Sequence, residues 1–128
     1  MKAHSPCYLW WPKDILADGR VNELTLEEEG AYRRLIDWCW IEGSIPSHPA
    51  RLGPLVRIDT GTEEGRARAE GLRNALAPFF AECPEEPGRW IQPRLEQVRA
   101  KALREWEGKR AGGKARAAAL NGHGGDHA

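Results

Sequence analysis

The stretch from Leu24 to Gly43, LTLEEEGAYRRLIDWCWIEG, constrains this chain more than any other because it carries its own start, face and stop. Thr25 followed three residues later by Glu28 fits a capping box, in which the Thr25 hydroxyl accepts from the backbone N–H of residue 28 and the Glu28 carboxylate reaches back. Glu27 and Glu29 add negative charge at the positive end of the helix dipole. Ala31, Tyr32, Leu35, Ile36, Cys39 and Trp40 then recur at helical spacing as a broad apolar stripe, and Gly43 supplies the stop. The fold must therefore be built around this helix. Arg33, Arg34 and Asp37, opposite the stripe, read as a solvated face.

The 128 residues are enough for one ordinary domain, and 41% hydrophobic against 30% charged residues predicts a folded chain with a heavily charged surface. Six Trp against two Tyr and two Phe point to a core built on indoles. Three of these ten aromatics sit in residues 5–24, where Tyr8, Leu9, Trp10 and Trp11 lie between Pro6 and Pro12. Pro12 disfavours helix at Trp11, so the segment is expected to be extended, with its aromatics pinning the terminus across the core. A base-stacking platform with Lys13 is the alternative use of the same rings.

Further along, Ser44–Ser47 reads as a short extended link, and Ser47 as the cap of a second helix reaching about Ile58 with Leu52, Leu55 and Val56 inward. Gly53-Pro54 should kink it. After the turn Asp59-Thr60-Gly61, Thr62 caps a third helix with Ala69, Leu72, Ala75, Leu76, Phe79 and Phe80 on one face, distorted at Pro78. Pro84-Glu85-Glu86-Pro87-Gly88 between short apolar pieces predicts a β-hairpin. Leu95, Val98, Ala102 and Trp106 then line the inward side of a fourth helix, which Gly112-Gly113 should weaken. The expected organisation is mainly α: a winged-helix-like domain of three helices plus a small β-hairpin over 6–95, a basic C-terminal helix over 96–111, and a flexible Gly/Ala/basic tail over 112–128.

Little chemistry is written into the chain. Cys7, Cys39 and Cys83 are odd in number and form no CxxC pair, so they read as reduced core thiols. His123 and His127 are separated by Gly124-Gly125 and make no helical metal pair. No phosphate-binding glycine loop, HExxH or nucleophile elbow is present, and Glu27-Glu28-Glu29 is accounted for by capping; the expectation is a non-enzymatic protein without cofactor or metal. No apolar run approaches the ~20 residues of a bilayer span and the start lacks a signal-peptide pattern, so the expected location is cytoplasmic, without membrane contact.

Charge is where function is most visible. Met1 to Gly88 holds 10 Lys and Arg against 15 Asp and Glu, whereas Arg89 to Ala128 holds 9 against 4, so a formal net charge of zero conceals an acidic body and a basic arm. Arg99, Lys101, Arg104, Lys109, Arg110, Lys114 and Arg116 are candidate phosphate contacts, with Arg89 at the hairpin extending the surface. Arg66, Arg68 and Arg73 on the third helix could reach DNA, but Glu63 and Glu64 stand at the end that would approach a groove.

Tyr8-Leu9-Trp10-Trp11-Pro12-Lys13-Asp14-Ile15-Leu16-Ala17-Asp18, followed by Leu24 to Asp37 and Trp40, resembles the YdaU-like family of phage and prophage proteins, with weaker likeness through Ile45-Pro46, Phe79-Phe80, Gly88-Arg89-Trp90 and Arg94-Leu95-Glu96. The resemblance spans about residues 6–105. It implies a winged-helix-like domain of a phage DNA replication module, acting at initiation or helicase loading in a bacterial cytoplasm; the family supplies no catalytic residue. The expected partner is DNA. The rival expectation is an adaptor docking on a helicase, a loader or a second copy.

Overall fold

The computed structural model describes residues 6–123, with side chains as far as Gly113. Its elements are α1 (Pro12–Ala17), α2 (Gly19–Asn22), α3 (Leu26–Glu42), β1 (Ile45–Pro46), α4 (Pro49–Leu55), α5 (Glu63–Leu76), a single 3-10 turn over Ala77–Phe79, β2 (Ala81–Glu82), β3 (Arg89–Ile91) and α6 (Pro93–His123). Mainly helical, the molecule carries one small three-stranded antiparallel sheet in the order β1-β3-β2.

α3 is the helix that its sequence specifies. Both halves of the capping box form: Glu28 N donates to Thr25 Oγ1 at 3.1 Å, and Thr25 N donates to Glu28 Oε1 at 2.8 Å. Gly43 ends the helix with φ 89°, in the left-handed region that glycine enters without a Cβ clash. The whole stripe from Ala31 to Trp40 is buried, and α1, α2, α4, α5, the sheet and the start of α6 all contribute residues to the same core. Each fully buried Leu or Ile in it contributes about 1.5–3 kcal/mol relative to exposure.

Several local expectations are corrected. Residues 12–22 are two short helices rather than extended chain. Trp11 stays non-helical, as the following proline requires, but Pro12 itself opens α1 at a position where its missing N–H costs nothing. Asp18 then caps α2 by accepting from Arg20 N at 2.8 Å, and the Arg20 guanidinium holds the Asp18 carboxyl below its ordinary range. In α4 the cap is His48, whose Nδ1 accepts from Ala50 N at 3.1 Å, one residue after the expected Ser47. That helix ends at Leu55, and Arg57 with φ 66° turns the chain toward α5 before Ile58 is reached. The link after Gly43 is extended, as expected, and pairs into the sheet: Ile45 with Trp90 and Pro46 with Arg89, which places β3 in the middle.

A further correction concerns α6. It begins at Pro93, with the Gln92 side chain accepting from Leu95 N at 2.6 Å, and runs unbroken through Gly112 and Gly113 to His123 instead of covering 96–111. The backbone of the stretch assigned to a flexible tail is thus helical as far as His123, while residues 124–128, with His127, lie outside the described residues. Cys7 is exposed, unlike the buried Cys39 and Cys83, so only two of the three thiols are core thiols. Pro78 does distort the end of α5, in the 3-10 turn.

α4 and α5 are held close by small residues. Gly53 is buried where a Cβ would meet the Thr60 methyl and Ala69, and a Cβ on Gly65 would run into the carbonyl of Asp59. Gly71, by contrast, has nothing within 4 Å of the place a Cβ would take. Gly65→Ala should therefore cost about 1–3 kcal/mol through backbone displacement. Gly71→Ala should gain about 0.5–1 kcal/mol from helix propensity, and urea unfolding of the two variants beside the parent checks both signs.

Burial also makes the fold sensitive to alkali. It pushes the Cys39 thiol up to about 12 from 9.0, against the lowering influence of Arg99. Burial likewise raises the Tyr32 phenol, and burial followed by the hydrogen bond to Asp37 raises that of Tyr8. In each case the folded chain keeps a proton that the unfolded chain releases. The stabilisation is full below the ordinary values and is lost as pH rises through them toward the folded ones. From about pH 9 to about pH 11 unfolding free energy should fall by about 1 kcal/mol per unit through Cys39, and Cys39→Ala should flatten that decline in urea titrations.

Candidate nucleic-acid interface

The cations singled out in the sequence divide into two groups. Arg99 belongs to the core: it is 1% exposed, its Nη2 donates to the carbonyls of Cys39 at 2.7 Å and Trp40 at 3.0 Å, and its Nη1 pairs with Glu96 at 3.0 Å. Its guanidinium lies 5.1 Å from the centre of a Trp40 ring. α3 has no basic residue in its own last turn, so Arg99 meets the unsatisfied carbonyls and negative dipole end of that helix from α6. The expectation that Arg99 touches phosphate is corrected on this ground: a guanidinium sealed from solvent cannot reach one.

Arg89 and Arg73 are also engaged. Arg89 donates through Nε to Ser44 Oγ at 2.7 Å and through Nη2 to the Ser44 carbonyl at 2.8 Å, tying β3 to the chain before β1. Arg73 donates to the Ser47 carbonyl at 3.2 Å and covers Trp90 at 4.9 Å. Arg66 is exposed and donates to the Thr60 carbonyl at 3.3 Å, while Arg68 pairs with Glu27. The face of α3 opposite the stripe is solvated as expected, with Arg34 and Asp37 exposed, and its side chains are engaged at the surface. Arg33 pairs with Glu29 at 3.4 Å, Arg34 donates to the Leu55 carbonyl at 2.7 Å, and Asp37 accepts from the Tyr8 hydroxyl at 2.7 Å.

The second group lies on α6. Lys101, Arg104, Lys109 and Arg110 are all exposed, and Lys101, with 72% of its side chain accessible, has only a loose contact of 4.0 Å with Glu105. At about 100° per residue Lys101 and Arg104 stand close together on the helix surface, whereas Lys109 and Arg110 point elsewhere. The array is a cationic rod rather than a single stripe. Lys114 and Arg116 continue it in sequence, but their side chains lie outside the described residues.

Trp106, expected on the inward stripe, is 48% exposed with Arg110 over its ring at 5.5 Å. The reason is that from Arg104 onward α6 outruns the body it packs on. The opposite charge collects elsewhere: Glu63 and Glu64 are exposed at the start of α5, and Glu82, Glu85 and Glu86 are exposed along the hairpin.

A groove of about 690 Å³ went unseen in the sequence because its walls come from opposite ends of the chain. Leu9, Trp11 and Trp40 form one side, and Val98, Lys101 and Ala102 the other. Among the described residues no three His, Cys, Asp or Glu side chains gather as a metal site, and no helix is long and apolar enough to cross a membrane. The chain matches no family model, no curated protein and no solved structure.

A division of the arginines into internal and external follows. Arg99→Ala should destabilise the fold by about 3–5 kcal/mol, because it leaves Glu96 unpaired and two buried carbonyls short of a donor. Arg104→Ala should change stability by less than about 0.5 kcal/mol, and thermal melts of the two variants check the contrast.

Proposed function

We propose that this protein is a non-enzymatic DNA-binding accessory of a phage or prophage replication module, with a winged-helix-like domain as its body and α6 as its main phosphate-contacting element. The carrying observation is the exposed set Lys101, Arg104, Lys109 and Arg110 on a helix that projects past the core. The order α3, β1, α4, α5, β2, β3, with β3 between the other two strands, supports the winged-helix reading. The likeness of Tyr8–Asp18 and Leu24–Trp40 to YdaU-like proteins supports the replication setting.

Contact through α6 differs from groove reading by α5. Glu63 and Glu64 at the start of α5, and Glu85 and Glu86 at the hairpin tip, would meet phosphates with like charge, and Arg73 and Arg89 are spent on carbonyls and a hydroxyl. The acidic face supports a second reading, an adaptor that docks on a basic surface of a helicase or loader without touching DNA. Salt separates the two.

Four to six phosphate contacts give a slope of log affinity against log salt of about −4 to −5 for duplex DNA. Lys109→Ala with Arg110→Ala should make it shallower by about 2, and Arg66→Ala should leave it unchanged. Fluorescence anisotropy with a labelled duplex across a salt series measures all three. No binding at about 50 mM salt defeats the DNA reading and favours the adaptor.

A further inference from the structure

The groove between the N-terminal segment and α6 is apolar where it is deepest and charged at its rim. Trp11 and Trp40 are buried in its floor, Val98 and Ala102 are half-buried in its wall, and Leu9 stands at the edge with 84% of its surface in water. Tyr8, Trp10 and Trp11 fold inward against Trp40, Arg33 and Arg94, so Leu9 is the one member of that cluster turned fully outward. Trp106 follows Ala102 by one helical turn on the same side of α6. A groove open along a helix, edged by an outward Leu and continued by a half-exposed Trp, has the shape of a helix-docking site.

The charges on α6 specify which helix fits. Lys101 and Glu105 both line the groove, and they stand two residues before and two after Leu103. A second α6 laid antiparallel about a twofold axis at Leu103 places each Lys101 against the other copy's Glu105. In an antiparallel helix pair, like flanks face each other, so each Lys101 meets a Glu105. A parallel pair would set Lys101 against Lys101 and Glu105 against Glu105. The pattern is self-complementary, as a twofold interface demands.

We infer that this groove is the interface of a homodimer, filled by α6 of a second copy running antiparallel and centred near Leu103. The pairing does not depend on DNA. It leaves Arg104 of both copies turned away from the pairing.

Sedimentation equilibrium of the full chain with a reductant and without DNA, from about 1 μM to about 200 μM, tests this. The parent should dimerise within that range. Leu9→Asp should remain monomeric with an unchanged circular dichroism spectrum and melt, since Leu9 makes little contact within its own chain. Lys101→Glu should weaken the dimer by about tenfold or more, because two symmetry-related attractions become repulsions. Adding Glu105→Lys to it should restore parental affinity.

A parent that stays monomeric throughout, a dimer indifferent to Leu9→Asp, or a double variant as weak as the single one would each overturn the inference. A monomer that still binds DNA with a steep salt slope would do so while leaving the DNA reading intact. A dimer that ignores DNA would have the reverse consequence.

Discussion

The position of α6 depends on the hydrogen bonds that Arg99 makes to the end of α3. A helix finishes with carbonyls that have no partner within it, and α3 brings no Lys, Arg or His in its last turn to meet them. Arg99, about 60 residues downstream by sequence, supplies two donors to the Cys39 and Trp40 carbonyls, a third to Glu96, and a flat face to Trp40. A lysine has neither the fork nor the plane. With Leu95 buried one turn earlier, this anchor fixes the direction in which α6 leaves the body, and so fixes where its exposed cations stand. The anchor also has a cost: Arg99 Nε is buried without a hydrogen-bond partner among the described residues, an omission worth about 1–3 kcal/mol, so the contact buys geometry more than stability.

The same use of arginine recurs across the molecule. Arg20 lies over Phe79, Arg33 over Trp10, Arg73 over Trp90 and Arg94 over Trp11, at 4.9 to 5.7 Å from the ring centres. Each is worth about 0.5–1 kcal/mol where it is exposed and more where water is excluded. A chain rich in indoles thus engages several of its cations on its own rings. Counting Lys and Arg then overstates the surface left for a polyanion. Arg94 illustrates the point: it is held at 2.7 Å by Asp14 on α1 while covering Trp11, which ties α6 back to the N-terminal aromatic cluster.

What the sequence made legible is what short stretches encode by themselves. The Thr25 capping box, the α3 stripe, the Gly43 stop, the Thr62 cap and the distortion at Pro78 each require only residues within a turn or two of one another. β1 was not legible because two residues carry no alternation, and Ile45 becomes a strand only when Trp90 arrives beside it. Arg99 looked like its basic neighbours, since nothing in its own segment records that the end of α3 awaits it. The run through Gly112 and Gly113 defied propensity, where two glycines cost about 2 kcal/mol in a helix interior. The candidate interface was half legible: Lys101, Arg104, Lys109 and Arg110 are exposed as expected, whereas Arg73, Arg89 and Arg99 serve the fold.

A formal net charge of zero would ordinarily discourage a polyanion reading, and geometry removes the objection. Leu103 is the last half-buried residue of α6 before the exposed run that starts at Arg104, and Gly113 lies about 15 Å farther along the axis. Physiological salt screens exposed charges over about 8 Å, so Lys109 and Arg110 feel little of the acidic body behind them. A ligand meeting the far part of the rod therefore encounters its positive charge and not the molecule's average. Near the body the balance differs, because Glu96, Glu105 and Glu107 are interleaved with Lys101 and Arg104 there, and mixed charge on one helix favours pairing with another helix over uniform attraction to phosphate. The two proposed uses of α6 thus draw on different stretches: the mixed part around Leu103 suits a second copy, and the part beyond Gly108, where the described charges are all positive, suits DNA.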